Sequence, residues 1–310
     1  MIQADPPSPS ARRLLNVARL ALQVARRVLP DYSHRFSPKK FTQPQLAACV
    51  VLKVYFRQDY RGICALLELM PTVRNVLALR VTPNYSTLAR FAQRVLDEET
   101  LARMLAEVMR AVSPAKKKSG SGGRGGKGRA KQTVDIAIDS TGMADSTASS
   151  YFITRSGRHR RRWVKLSLAV TLRQHLILAA VADFGPNNDK IQFAPVLKQM
   201  LQTSRISGQR IGRLLADKGY DAEWIHRSCR ERHGIESWID PVVHRKDGLV
   251  GGRWRRHCFT HRPADFGQRW QVESTISGLK RRMGNTIAAR GAQMQRREIV
   301  LKALAWSIHR

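Results

Sequence analysis

The 310-residue chain holds only 23 Asp and Glu beside 55 Lys and Arg, so a carboxylate at the end of an apolar run is conspicuous. Asp139 closes one β-rich run, 134–139, and leads into the turn-prone Ser140-Thr141-Gly142. Asp217 follows another, 211–216, within LLADKGYD. In α/β sheets, ligand-binding groups collect at the carboxyl ends of strands. Two carboxylates there, on strands that could be neighbours, can share hard divalent cations through oxygen ligands. A third would complete a set able to hold two ions for in-line displacement at phosphorus. Taken singly, an Asp in such a place is more often a strand-end cap or a surface turn.

Glu273 supplies the third carboxylate. On a helix over 264–283, with Phe266 at zero, Arg269, Glu273 and Lys280 fall at about 300°, 340° and 320°. Val272, Ile276, Leu279 and Met283 gather at about 220–280° on the same wheel. The helix thus packs by an aliphatic face and presents one carboxylate flanked by two cations. Ordinary i, i+4 pairing explains Arg269 with Glu273 but not the continuation of the stripe to Lys280.

These residues need a sheet and helices to bring them together. The runs 163–172 and 176–184 are β-rich and separated by Arg173-Gln174-His175, the pattern of a hairpin. A helix follows over 190–202, capped by Asn188 or Asp189, then a strand over 211–216, a helix over 222–232 and a strand over 235–239. Residues 253–261 form a basic, aromatic insert of undefined form, and helices over 264–283 and 295–309 follow it. The order is that of an α/β fold with a mixed sheet. Residues 11–112 read instead as helices: Leu14, Val17, Leu20, Val24 and Val28 recur at helical spacing, with Arg12, Arg13, Arg19, Arg26 and Arg27 on the other face. Further helices are predicted over 45–56, 59–69, 73–79, 86–96 and 99–112, short and tightly spaced as in helix-turn-helix modules. Between the halves, AKKKSGSGGRGGKGRAKQ (115–132) has nothing to bury and reads as a flexible basic linker. The predicted organisation is a helical DNA-binding region over 1–114, a linker over 115–132 and a catalytic domain over 133–310.

With the residues set out, the chain resembles the insertion-sequence DDE transposases. Their third-acid helix carries Y-x2-R-x3-E-x6-K, and Phe266, Arg269, Glu273 and Lys280 fit that spacing with Phe in place of Tyr, inside FGQRWQVESTISGLKRRMG. AIDSTG is similar to the first-acid strand, and LLADKGYDAEWIHRSCRERHGI to the second-acid strand and its helix. FGPNNDKIQFAPVL and NYSTLARF also resemble family segments, in the expected order. The resemblance implies an RNase H-like catalytic domain in which Asp139, Asp217 and Glu273 bind two Mg²⁺ (or Mn²⁺) ions. It implies cleavage at terminal inverted repeats and joining of 3′-hydroxyl ends to target DNA. It also implies a homodimer or larger assembly on DNA, and a cytoplasmic, nucleoid-associated protein of a prokaryote. Arg269 and Lys280 would grip phosphates, and Phe266 would lie beside them. Lys165, in WVKLSL, either points into the same cleft or is a surface lysine.

Composition agrees. A net charge of +32 and a pI near 11.3 select a polyanionic partner. No apolar stretch is long enough to span a bilayer, and four scattered cysteines read as reduced thiols. Cys229-x3-His233 and His257-Cys258-x2-His261 offer soft donors but match no recognised zinc set, and arginines around them oppose a cation. Thr87, Arg90 and Arg94 share one face of the helix over 86–96, opposite Leu88 and Val95, so that helix is either a DNA-recognition helix or a solvated basic face. A nuclease without strand transfer and a non-catalytic regulator descended from a transposase are the alternatives; three intact carboxylates argue against the second.

Overall fold

The computed structural model describes residues 8–112, 133–145, 155, 163–185, 187–243 and 248–310. The linker expected over 115–132 lies outside them. The described residues form eleven α-helices and a six-stranded mixed sheet, with an all-helical region first.

That region runs α1 (Pro9–Val28), α2 (Gln43–Tyr55), α3 (Tyr60–Leu69), α4 (Pro71–Val76), α5 (Tyr85–Arg94) and α6 (Glu98–Val112). Local signals start these helices. Ser8 Oγ accepts from Ala11 N ahead of Pro9, and Thr42 with Gln45 makes a reciprocal capping box on α2, satisfying N–H groups that have no partner inside the helix.

The sheet order is β3-β2-β1-β4-β5, built from β1 (Thr133–Asp145), β2 (Val164–Thr171), β3 (Ile177–Phe184), β4 (Arg210–Ala216) and β5 (Glu236–Ile239). β2 and β3 form the expected hairpin, to which β1 adds antiparallel, while β4 runs parallel to β1 and β5 parallel to β4. The short β6 (Thr286–Ile287) pairs with the far end of β1. The turn expected at Ser140-Thr141-Gly142 is strand instead. Those residues pair with Ser167, Leu166 and Lys165 of β2, and tertiary pairing overrides their turn preference. The Trp163 indole lies against the bare Cα face of Gly142, where an added Cβ would come within 2.7 Å of it.

Alternation sends neighbouring strand residues to opposite layers. Ile136, Ile138 and Ala169 pack with Phe193, Val196 and Met200 of α7 (Asp189–Ser207). Of the two caps predicted, Asn188 is the one used, and the helix is closed by Gly208 at φ 74°. Ala137, Leu166, Leu168 and Val170 pack instead with α10 (Trp270–Met283) and α11 (Ala292–His309). α8 (Glu223–Arg227) continues as a π turn over Ser228–Arg232, and the basic insert forms α9 (Arg253–Thr260).

The same cluster that covers the α10/α11 face of the sheet runs without a break through Val17, Leu22, Leu52, Leu88 and Leu105. The helical region and the sheet therefore share one core, and the predicted boundary between them crosses a continuous apolar interface.

Candidate active site

Ile138 of β1 and Ala216 of β4 are register partners on parallel strands, so Asp139 and Asp217, the next residue of each chain segment, emerge side by side. Each is half-buried and accepts a hydrogen bond from the following backbone N–H: Ser140 N to Asp139 Oδ1 at 2.7 Å, Lys218 N to Asp217 Oδ1 at 2.6 Å. Asp217 also caps the 3₁₀ turn Lys218–Tyr220.

Glu273 stands in the first turn of α10, where a carboxylate suits the helix dipole. Val272, Ile276, Leu279 and Met283 are buried on the sheet side, as the helical spacing predicted. Burial raises the Asp139 carboxyl to about 6, with Glu273 and Asp217 adding to the rise. The Ser140 N–H and the Arg269 guanidinium oppose it. Both other acids thus bear electrostatically on Asp139. Glu273, however, is turned toward Arg269, with Nη1 to Oε1 at 2.8 Å. Among the described residues no three His, Cys, Asp or Glu side chains are drawn together closely enough to hold a metal ion. This covers the soft-donor set as well: Cys229 and Cys258 are free thiols, both buried, and the His257 and His261 rings stack on each other at 4.8 Å.

The predicted helix over 264–283 is in fact two pieces. Ala264–Arg269 is a 3₁₀ segment and α10 starts at Trp270. Pro263 precedes the segment and Gly267 lies within it, both poor supports for an α-helix. The tighter turn places Phe266 inward: it is buried, with the Arg262 guanidinium over its ring at 4.4 Å. Phe266 is therefore packed in the core, 4% exposed, where the resemblance placed it beside the phosphate-gripping residues. Arg269 and Lys280 remain partly exposed.

Lys165 is corrected. It pairs with Gly142 in register, and Ser167 with Ser140, so all four lie on the sheet face opposite Asp139. There it is buried and bonded to Asn187 O at 2.5 Å and to Asp189 at 2.7 Å. Its charge anchors the start of α7 and does not enter the acidic cleft.

Three supports escaped sequence reading. Arg213 of β4 holds Asp135 of β1 at 2.8 Å and Asp265 of the 3₁₀ segment at 2.8 Å, tying the approach to α10 to both acid-bearing strands. A hydroxyl chain runs from Ser167 to Ser140 (2.7 Å) to Tyr220 (2.8 Å) beneath Asp139. The buried Asp221 takes a bidentate grip from Arg255 of α9, both bonds at 2.7 Å, which fixes the insert beside the second acid. The only sequence clue was proximity: Ser140 adjoins Asp139, and Tyr220 and Asp221 share the DKGYD stretch with Asp217.

Thr87, Arg90 and Arg94 fall on α5, capped by Asn84, far from the acids in sequence. Arg90 and Arg94 are exposed and Leu88 is buried. Arg90 reaches back to Ser86 Oγ at 3.1 Å.

No helix among the described residues is long and apolar enough to cross a membrane. Compared with known families, residues 130–308 match the one described as Transposase DDE domain. That stretch covers most of the chain and contains all three acids, and the chain accordingly belongs to the DDE-domain transposases.

Proposed function

We propose that the protein is a working transposase whose catalytic acids are Asp139, Asp217 and Glu273. The observation that carries this reading is the register of β1 and β4, which brings Asp139 beside Asp217 while the charge of Glu273 bears on Asp139. The donor chemistry fits Mg²⁺ or Mn²⁺: three carboxylates offering hard oxygens, one of them held up to about 6 by burial and by its acidic neighbours, a strain that a cation relieves. Two such ions supply activation of the attacking oxygen and stabilisation of the leaving one.

The chain's own residues do the rest. Glu273, 51% exposed at its side chain, must turn from Arg269 to join the other acids. That turn frees the Arg269 guanidinium, whose planar fork suits two phosphate oxygens. Lys280, about two turns further along α10, adds a second point charge for the backbone. Thr87, Arg90 and Arg94 of α5 contact the terminal inverted repeats, and two chains act together to pair the ends.

The test is strand transfer with a labelled, pre-cut repeat end bearing a free 3′-hydroxyl, incubated with target duplex and Mg²⁺. Joined product is expected. Cleavage without joining would assign the chain to the nucleases, and binding without either would assign it to the regulators.

A further inference from the structure

α1 contains no acidic residue, and Arg12, Arg13, Arg19, Arg26 and Arg27 are exposed along it. The first half of this face meets the last turn of α11. There Arg13, Asn16 and Arg19 line a cavity of about 390 Å³ with His309 and Arg310. Arg19 is held in place by Asn16 Oδ1 at 3.0 Å.

A third helix contributes from the side. Arg282, in the last turn of α10, lies over the Tyr55 ring at 4.6 Å, and Tyr55 lies 5.5 Å from the His309 ring. Burial lowers the pKa of His309, and Arg282, Arg13 and Arg310 lower it further. Cations distant in the chain thus converge on one imidazole, whose Nδ1 is buried without a hydrogen-bond partner. No carboxylate among the described residues pairs with Arg13, Arg19 or Arg282. A solvated basic face would need neither a cavity nor a shared unpartnered nitrogen. Guanidinium groups gathered with no described carboxylate in ion-pair contact are an arrangement suited to phosphate oxygens.

We propose that Arg13, Arg19 and Arg282, gathered around His309, form a phosphate-binding site for the DNA backbone, which carries the duplex held at the active site onward to α1. This rests on DNA being the substrate. Glu273 and Arg282 are nine residues apart on α10, about 13 Å along its axis and about half a turn around it. The two thus stand at opposite edges of the exposed side of α10, and the proposal requires the duplex to lie across that side. No residue of α5 lines this cavity, so the site would give the helical region a second, sequence-independent hold on the duplex.

The test is the dependence of duplex affinity on salt for the full chain, its Arg13→Gln/Arg19→Gln/Arg282→Gln variant, and Arg205→Gln. Arg205 is exposed on α7, across the sheet, and controls for removal of a charge as such. The slope of log K against log salt should become shallower by about 0.9 for each phosphate that the triple variant no longer neutralises. Arg205→Gln should keep both the parent slope and the parent rate of cleavage at saturating DNA. An unchanged slope in the triple variant overturns the site, as does an equal change in Arg205→Gln. A parent chain that binds no duplex overturns the substrate reading, and this site with it. Melting temperature read alongside separates a missing phosphate grip from a damaged fold; an unfolded triple variant is replaced by Arg13→Gln/Arg19→Gln, which alters only exposed side chains.

Discussion

Arg269 holds Glu273 at 2.8 Å across the junction between a 3₁₀ segment and α10. The pair is a latch: the carboxylate that would complete the acidic set is occupied by the cation that would grip the substrate. If both partners are released when DNA and metal bind, Arg269→Ala and Lys280→Ala should each reduce the salt slope of DNA affinity by about 0.9. Both effects should be similar across DNA sequences, since phosphates carry no base identity. A mere surface pair predicts a stability change of roughly 0.3–0.5 kcal/mol and an unchanged slope.

Asp139 makes stability depend on pH with a definite sign. Its carboxyl rises from 3.8 to about 6 on folding, so between those values the folded chain holds a proton that the unfolded chain has released. Stability from this group therefore falls as pH rises through that window. Asp139→Asn should raise stability at pH 7.5 by an amount on the order of 1–3 kcal/mol, and the gain should vanish at pH 3.5. Added Mg²⁺ should stabilise the parent chain at pH 7.5 but not this variant. Thermal melts at the two pH values, with and without Mg²⁺, check both.

Arg213 positions the approach to α10 by holding Asp135 and Asp265 together. Arg213→Ala leaves two carboxylates facing one another. With these groups a quarter to a half exposed, solvent screening limits the cost to about 1–2 kcal/mol. Cleavage should fall further than that destabilisation explains, because the 3₁₀ segment then drifts. Urea denaturation and cleavage under strongly native conditions separate the two effects; Arg213→Lys, which keeps charge but not the fork, should recover only part of the activity.

The apolar run before Asp217 and the buried face of the helix carrying Glu273 were legible because each rule behind them is local, whereas Asp139 lies within β1 and not at its end. The mixed sheet was legible for the same reason. What the sequence concealed depends on long-range partners. Ser140 to Gly142 carry turn residues but are drawn into β1 by β2. Lys165 sits in a β-rich run, yet only the register reveals that it faces α7. Phe266 turned inward because the helix start is 3₁₀, a change of a fraction of a residue per turn that a helical wheel does not register.

The common core of α1, α2, α6 and α11 leads to a further expectation. A protease site inserted within 115–132 and cut to completion should leave two fragments that remain together in gel filtration. Val17, Leu52, Leu105 and Leu304 belong to one apolar cluster, and exposing that interface would cost on the order of 25 cal/mol for each Å². Fragments that separate without denaturant would show two independent domains.

The central claim, that Asp139, Asp217 and Glu273 form one catalytic set, is tested most directly by Mg²⁺-dependent cleavage of repeat-end DNA by Asp139→Ala, Asp217→Ala and Glu273→Ala, each compared at matched DNA occupancy. Removing any one ligand should abolish cleavage while leaving affinity for the DNA largely intact, because the phosphate-gripping groups lie on other residues. Cleavage near the parent rate in any one of the three variants would contradict the claim for that residue and break the set.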